Sequence, residues 1–296
     1  MELAEFTPAA PGKGEVLVRV RAAAANGLDW KIRNGDLKLM TGRGFPRGLG
    51  HDFAGVVEQV GQGVTRFRAG DEVLGTTSMK AAGAFAEVVL ATAGQVVKKP
   101  DDLSFEQAAA IPIVGVTALQ AITTGGKLKP GQSVFINGCL GNVGRIATQL
   151  ALRRQATVAG SCRAGTWHDA EALGISTVVD FDFDASGLQG RFDLVFDTAG
   201  TLSGKTARTL IKPGGRIIDI NGTPAKMLRS ALPGPYQMQI TKASVQDLES
   251  ITRAVADGQV RIPIARTVPL AEAPQALAEL ETRNTPRGGK LVITIG

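Results

Sequence analysis

Three glycines at three-residue spacing, Gly138, Gly141 and Gly144, follow the apolar run Ser133-Val134-Phe135-Ile136-Asn137. Beyond them Val143, Ile146, Ala147, Leu150 and Ala151 recur at i, i+3, i+4, i+7 and i+8, the apolar face of a helix. Strand, glycine turn and helix together can hold a diphosphate. Glycine lets the backbone approach the anion, and the first helical turn aims unpaired N–H groups at it. Gly138, Gly141, Asn142, Val143 and Gly144 are therefore candidate contacts for a dinucleotide. The spacing is not the commoner G-x-G-x-x-G, and the same residues would also serve as a tight turn that only packs helix on strand.

The elements around that turn must present it. Ala156–Gly160, Thr177–Asp180, Leu194–Asp197 and Arg216–Ile220 are further runs of strand length, with helical stretches at 142–154, 167–173 and 202–211. The link between the strands at 177–180 and 194–197 is short, Gly-rich and without a helical pattern. Strands alternating with helices predict a parallel sheet with crossover connections.

Upstream the period is different. Val16, Val18 and Val20 alternate with Leu17, Arg19 and Arg21, a half-buried strand. Residues 26–35 read as a short helical turn stopped by Asn34-Gly35, with Asp29 and Arg33 at the i, i+4 spacing of a surface ion pair. Strands at 51–61, 70–75 and 83–90, separated by glycine turns, predict a small β-barrel or sandwich. Ser104-Phe105-Glu106-Gln107 is a capping-box signature that opens the α/β part. Pro112 interrupts that helix, and a second helix is expected over Gly115–Ile122. Residues 221–238 contain three prolines and read as irregular. Helices are expected at 245–256 and 273–280, and a last strand at 290–295.

A length of 296 residues accommodates about two domains. The net charge of +6 is scattered: Lys98-Lys99 and Arg153-Arg154 are too short for a basic stripe and carry no interleaved aromatics, so no nucleic-acid partner is expected. Cys139 and Cys162 make neither a disulfide framework nor a C-x-x-C, which favours a reducing compartment. No run approaches the roughly 18 apolar residues of a membrane span. Met1–Phe6 is acidic and lacks a signal-peptide layout, so the expected location is the cytoplasm, away from membranes.

Further motifs stand in order along nearly the whole chain: Gly14-Glu15-Val16-Leu17-Val18, Ala25-Asn26-Gly27-Leu28-Asp29-Trp30-Lys31, Gly50-His51-Asp52-Phe53-Ala54-Gly55-Val56-Val57, Arg66 to Val73, Thr117 to Ala121, Leu128-Lys129-Pro130-Gly131 and Gly288-Gly289-Lys290-Leu291-Val292. In these the chain resembles the zinc-independent quinone oxidoreductases of the medium-chain dehydrogenase/reductase superfamily, the group of the zeta-crystallins and the 2-alkenal and enone reductases. The resemblance implies an α/β fold: a GroES-like β-rich catalytic domain, 1–103 and 239–296, with a Rossmann doubly wound parallel-sheet domain, 104–238, inserted into it. It also implies reduction of a small quinone or α,β-unsaturated carbonyl, and a homodimer paired through the Rossmann sheet edge at 216–220 and the segment after it. An NADPH-binding sensor or structural protein of low activity is the alternative, since this family has no indispensable catalytic side chain to look for.

The resemblance assigns residues as well. Asn26, Lys31, Asp52, Thr117 and Asn221 would line the cleft, and Lys290 would join the cofactor contacts. Asn26 would hold the nicotinamide ribose or polarise a carbonyl, and Lys31 would neutralise a phosphate or a developing enolate. After the second strand of the nucleotide unit the chain reads Gly160-Ser161-Cys162-Arg163, with no acid before Asp169. A carboxylate there selects NAD, whereas a hydroxyl and a guanidinium would hold a 2′-phosphate. Arg163 is equally readable as a solvated loop arginine. The family places its phosphate-binding Arg or Lys at this position, so the expected cofactor is NADPH, held by Ser161 and Arg163. No metal is expected: His51 stands where zinc relatives carry a histidine ligand, but Asn26 replaces their first cysteine, and zinc needs three protein ligands.

Overall fold

A computed structural model describes residues 1–42, 44, 47–79, 82–283 and 288–296. The chain divides into two compact units, residues 1–116 with 243–296, and residues 117–242.

The first unit is built on strand β1 (Glu15–Ala24). Val16, Val18 and Val20 are buried while Arg19 and Arg21 face out, and from Ala22 to Ala24 every residue is buried. That change follows the pairing. After it come α1 (Gly27–Arg33), α2 (Lys38–Thr41), β2 (Asp52–Val60), β3 (Glu72–Thr76), β4 (Val88–Thr92), β5 (Val96–Lys98), α3 (Phe105–Ala109) and α4 (Pro112–Gln120). β1 pairs with β2 along its length and with β4 through its first half. The strand expected at 83–90 begins only at Val88. Ser104 and Gln107 make the reciprocal cap the sequence announced: Ser104 Oγ accepts from Gln107 N at 3.2 Å, and Gln107 Oε1 accepts from Ser104 N at 2.9 Å. The helix they open packs against the β-rich unit's own strands. Pro112 does not interrupt a helix but opens the next one, where its missing N–H costs nothing.

A π-helical turn, Ala121–Gly125, leads into the second unit: β6 (Ser133–Asn137), α5 (Asn142–Arg153), β7 (Thr157–Ser161), α6 (Trp167–Ala172), β8 (Thr177–Val179), β9 (Phe192–Asp197), α7 (Gly204–Leu210), β10 (Ile211–Asp219), α8 (Pro224–Ala231) and β11 (Tyr236–Met238). All pairs are parallel, in the order β8-β7-β6-β9-β10-β11. This is the doubly wound arrangement, and its direction reverses between β6 and β9. Phe135, Val195, Ile217 and Ala159 bury one face against Leu210, Phe192 and Tyr236. Residues 221–238, read as irregular, hold both α8 and β11. Pro224 sits in the first helical turn, where proline is tolerated, and Thr223 Oγ1 caps it by accepting from Lys226 N at 3.2 Å.

The chain then returns to the first unit with α9 (Val245–Ala256), β12 (Ile264–Pro269), α10 (Ala273–Arg283) and β13 (Lys290–Thr294). β13 pairs with Ala22–Ala24 and completes the sheet order β12-β13-β1-β2-β3-β5.

Candidate active site

In the β-rich unit the charged residues meet where β1 runs into α1. Asn26 N donates to Asp29 Oδ2 at 2.8 Å, which sets the acid at the positive end of the helix. Asp29 Oδ1 lies 3.0 Å from His51 Nδ1, and His51 Nε2 is buried with no partner among the described residues. Asn26 Nδ2 donates to Ala24 O at 3.2 Å and to Asp52 Oδ2 at 2.9 Å, while its Oδ1 accepts from Lys290 Nζ at 2.7 Å. Lys290 also donates to Ala25 O at 2.8 Å and stands 3.8 Å from Asp52 Oδ2. Asp52 Oδ1 accepts from Ile113 N at 3.1 Å in the first turn of α4. Both charged groups are 0% exposed. Burial pushes the Asp52 carboxyl up to about 6, against the pull of Lys290 and of the bonds from Asn26 and Ile113. Burial likewise pushes the Lys290 ammonium down, opposed by Asp52 and Asp29. Among the described residues no group of three or more His, Cys, Asp or Glu is placed to hold a metal ion.

In the second unit β6 and β7 end side by side, Asn137 opposite Ser161. The turn that follows β6 lies at the switch point of the sheet, the place where such folds bind ligands. Gly138 has φ +81°, a conformation that L side chains rarely adopt. Its N–H donates to Ser161 O at 3.1 Å, and its carbonyl accepts from Gly141 N at 2.9 Å. A Cβ on Gly144 would lie 2.1 Å from Gly138 O, so only glycine lets α5 pack this close beneath the turn. No side chain caps α5, which leaves its first-turn amides to an anion. At the end of β7, Arg163 is exposed and its guanidinium has no partner among the described residues. These features fit a dinucleotide diphosphate.

Residues 12–101 match the alcohol dehydrogenase GroES-like domain, and residues 173–293 match the zinc-binding dehydrogenase family. A chloroplast envelope quinone oxidoreductase homolog of Arabidopsis thaliana is 31% identical over 287 residues, covering 91% of this chain and 87% of that protein. This chain belongs to the quinone oxidoreductase group of the medium-chain dehydrogenase/reductase superfamily. A 2-methylene-furan-3-one reductase of Solanum lycopersicum is 30% identical over 94% of the chain and 71% of its own length. The quinone oxidoreductase structure from Coxiella burnetii superposes with a TM-score of 0.89 at 28% identity, covering 100% of this chain and 95% of that one.

This medium-chain oxidoreductase therefore has the GroES-like and Rossmann parts its motifs implied, and its site residues fall into separate groups. Asn26, Asp52 and Lys290 form one buried cluster. Gly138, Gly141, Asn142, Val143, Gly144, Ser161 and Arg163 gather at the ends of β6 and β7. Asn221 follows β10 and donates from Nδ2 to Thr198 O at 2.9 Å. Thr117 shares a 2.7 Å hydrogen bond between hydroxyls with Thr241, and Lys31 lies half-exposed on α1.

Four roles differ from those expected. Lys290 offers no ammonium to a phosphate, because it is fully buried and spent on Ala25, Asn26 and Asp52. Ser161 is 0% exposed, donates to Asn137 Oδ1 at 2.5 Å and accepts from Gly138 N at 3.2 Å, so it shapes the turn from beneath. The Asn26 amide has both donors engaged and none left for a carbonyl. Asp29 was read as half of a surface pair with Arg33. It is instead 3% exposed and faces His51, while Arg33 bonds to Glu281 at 2.5 Å. Asn137 and Asp197, 2.6 Å apart, escaped notice in the sequence because each is simply the last residue of an apolar strand.

The raised Asp52 pKa gives a pH dependence with a definite sign. The unfolded carboxyl ionises near its ordinary 3.8, the folded one near 6. The folded chain thus binds the proton more tightly, so this contribution to stability is complete below 3.8 and is lost as pH rises towards 6. From pH 3.5 to 7 the urea midpoint of the wild type should fall relative to that of Asp52→Asn, in which this contribution is missing. An equal slope in both proteins would show that Asp52 is not the titrating group.

Proposed function

We propose that this oxidoreductase transfers a hydride from NADPH to a quinone or an α,β-unsaturated carbonyl, without zinc. The observation that carries the cofactor choice is Arg163, exposed and unpaired at the end of β7 with no carboxylate in the turn. A 2′-phosphate carries nearly two negative charges, which a guanidinium attracts and an acid would repel. When bound, the nicotinamide supplies the hydride. The chain's part is to hold and orient it, through the glycine turn and α5 amides at the diphosphate and Arg163 at the adenosine ribose. For the acceptor, the relatives named for quinones and for a methylene-furanone support an oxygen-polarised, conjugated electrophile. In the β-rich unit the ammonium of Lys290 is bonded to Asn26, the residue that by the resemblance replaces the first cysteine of zinc relatives. That supports a metal-free reading. The unpaired cysteines support the cytoplasm, and β11, which forms the sheet edge in place of the strand expected there at 216–220, supports a homodimer, because an open sheet edge favours pairing.

NADPH oxidation against a quinone and enone panel tests the activity and separates it from a binding-only role. Arg163→Glu should raise the Michaelis constant for NADPH by about tenfold to a hundredfold, the loss of a charge-assisted contact of about 1.5–3 kcal/mol. NADH should be almost unaffected. Turnover at saturating NADPH should hold, since the contact is the same in ground and transition states. Equal use of NADH and NADPH by the wild type would overturn the cofactor assignment. About one zinc per chain by elemental analysis, lost with activity on chelation, would overturn the metal-free reading. Light scattering that returns the 30.8 kDa monomer at micromolar concentration would remove the dimer.

A further inference from the structure

Cys139 and Cys162 take no part in the proposed hydride transfer, yet they meet inside the nucleotide turn. Cys139 stands two positions beyond the end of β6, and Cys162 one position beyond the end of β7. Both are free and buried, and Cys162 Sγ donates to Thr166 O at 3.9 Å. The position of Cys139 over β7 has independent support. A Cβ built on Gly160 would come within 2.7 Å of Cys139 Cβ and 3.0 Å of its Sγ. The turn is held to the end of β7 there, because Cys139 N donates to Ser161 O at 3.0 Å. Neighbouring strands are about 4.8 Å apart, within the span a disulfide bridges without moving the chain far. The free thiols flank both halves of the site. Cys139 sits in the glycine turn, and Cys162 separates Ser161, which holds Gly138 N, from Arg163.

We propose that Cys139 and Cys162 form a reversible disulfide that weakens dinucleotide binding, with a small uncharged hydroperoxide as oxidant. The chemistry balances. One thiolate attacks the O–O bond of hydrogen peroxide, giving a sulfenic acid and, after proton transfer, one water. The second thiol displaces the sulfenic oxygen as another water and closes the S–S bond. Two thiols lose two electrons and the peroxide gains them. A covalent bond is shorter than the contact it replaces, so closing it draws the glycine turn towards the end of β7. The Ser161 hydroxyl then no longer sets Gly138, and Arg163 is displaced along with its neighbour.

Burial pushes the Cys139 thiol up to about 12, which makes the closed turn slow to oxidise. Reaction therefore proceeds when the turn opens, and a bound dinucleotide holds it shut. Binding and oxidation are reciprocally linked: whatever factor the disulfide takes from the affinity, the cofactor takes from the ease of forming the bond.

This inference rests on the dinucleotide reading of the turn, and the two can fail separately. The purified protein is incubated with hydrogen peroxide, then quenched, with and without NADPH. Intact mass and thiol counting read the bond, and fluorescence titration reads NADPH affinity before and after oxidation. The expected result is the loss of two hydrogens and both thiols, slowed by NADPH. The dissociation constant should rise about tenfold and recover with dithiothreitol. In Cys162→Ser the ratio of oxidised to reduced dissociation constants should stay at one. Thiols that survive peroxide in the folded protein, or a disulfide that leaves affinity unchanged, would overturn the proposal. A reduced wild-type protein that binds no NADPH would instead remove the dinucleotide reading beneath it.

Discussion

Replacing Lys290 with Met should destabilise the β-rich unit by about 3–5 kcal/mol, the range for breaking a buried ion pair from one side. Lys290 Nζ satisfies Ala25 O and Asn26 Oδ1 and offsets the charge of Asp52, all inside the unit. Methionine fills similar volume, so little of the loss comes from packing. It comes from two acceptors left without donors and from a carboxylate left without its cation. Asp52 should answer by holding its proton to higher pH, which moves the stability window upward. The double variant Lys290→Met with Asp52→Asn should recover part of the loss, because no net charge then remains buried. Urea denaturation followed by near-ultraviolet circular dichroism checks this. A single variant as stable as the wild type would show that the pair contributes no net ionic stabilisation.

Gly144→Ala should lower NADPH affinity about a hundredfold or more, equivalent to about 2.7 kcal/mol. The added Cβ would lie 2.1 Å from Gly138 O, and that carbonyl cannot simply retreat. It already accepts from Gly141 N at 2.9 Å and from Thr198 Oγ1 at 3.1 Å. The turn must shift as a whole, and the α5 amides lose their aim at the diphosphate. Gly141→Ala is the matched comparison, because its Cβ would lie 3.2 Å from the same oxygen, where a few tenths of an ångström suffice. Its effect should be several-fold at most. Isothermal titration of NADPH against both variants reads the difference, and equal losses would mean that the clash at Gly138 O does not govern the turn.

How much of this was legible in the sequence depended on whether a residue's role is local. The glycine turn, the Ser104–Gln107 cap and the β–α alternation depend on neighbours a few positions away, and all could be read directly. β5 and β11 were invisible because they are three residues long, and β12 because it is mostly exposed and shows no buried alternation. Their only warrant is a partner strand distant in sequence, and prolines adjoin β11 and β12. The glycine motif located the strand, turn and helix but not the job of each side chain. Ser161 and Arg163 stand two residues apart at the end of one strand, yet one is wholly buried and the other exposed. β7 stops at Ser161 and Arg163 lies past it in the loop, an end point set by the pairing with β6 and β8. Asp29 misled for the same reason. Its i, i+4 spacing to Arg33 is a surface pattern, and nothing local reveals that His51 waits on the other side.

The pairing of β13 with β1 has a consequence for biogenesis. Lys290 and Asn26 are bonded across 264 positions, with the whole nucleotide unit between them in the chain. A nascent polypeptide leaving the ribosome therefore completes the inserted sheet while Ala22–Ala24, paired with β2 alone, still lack their second ladder partner and Asn26 and Asp52 lack their cation. Closure of this high-contact-order seam is the late step, because loop entropy must be overcome before the contact rewards it. Until then the open end of β1 is an exposed apolar edge, the feature that invites mispairing and chaperone capture.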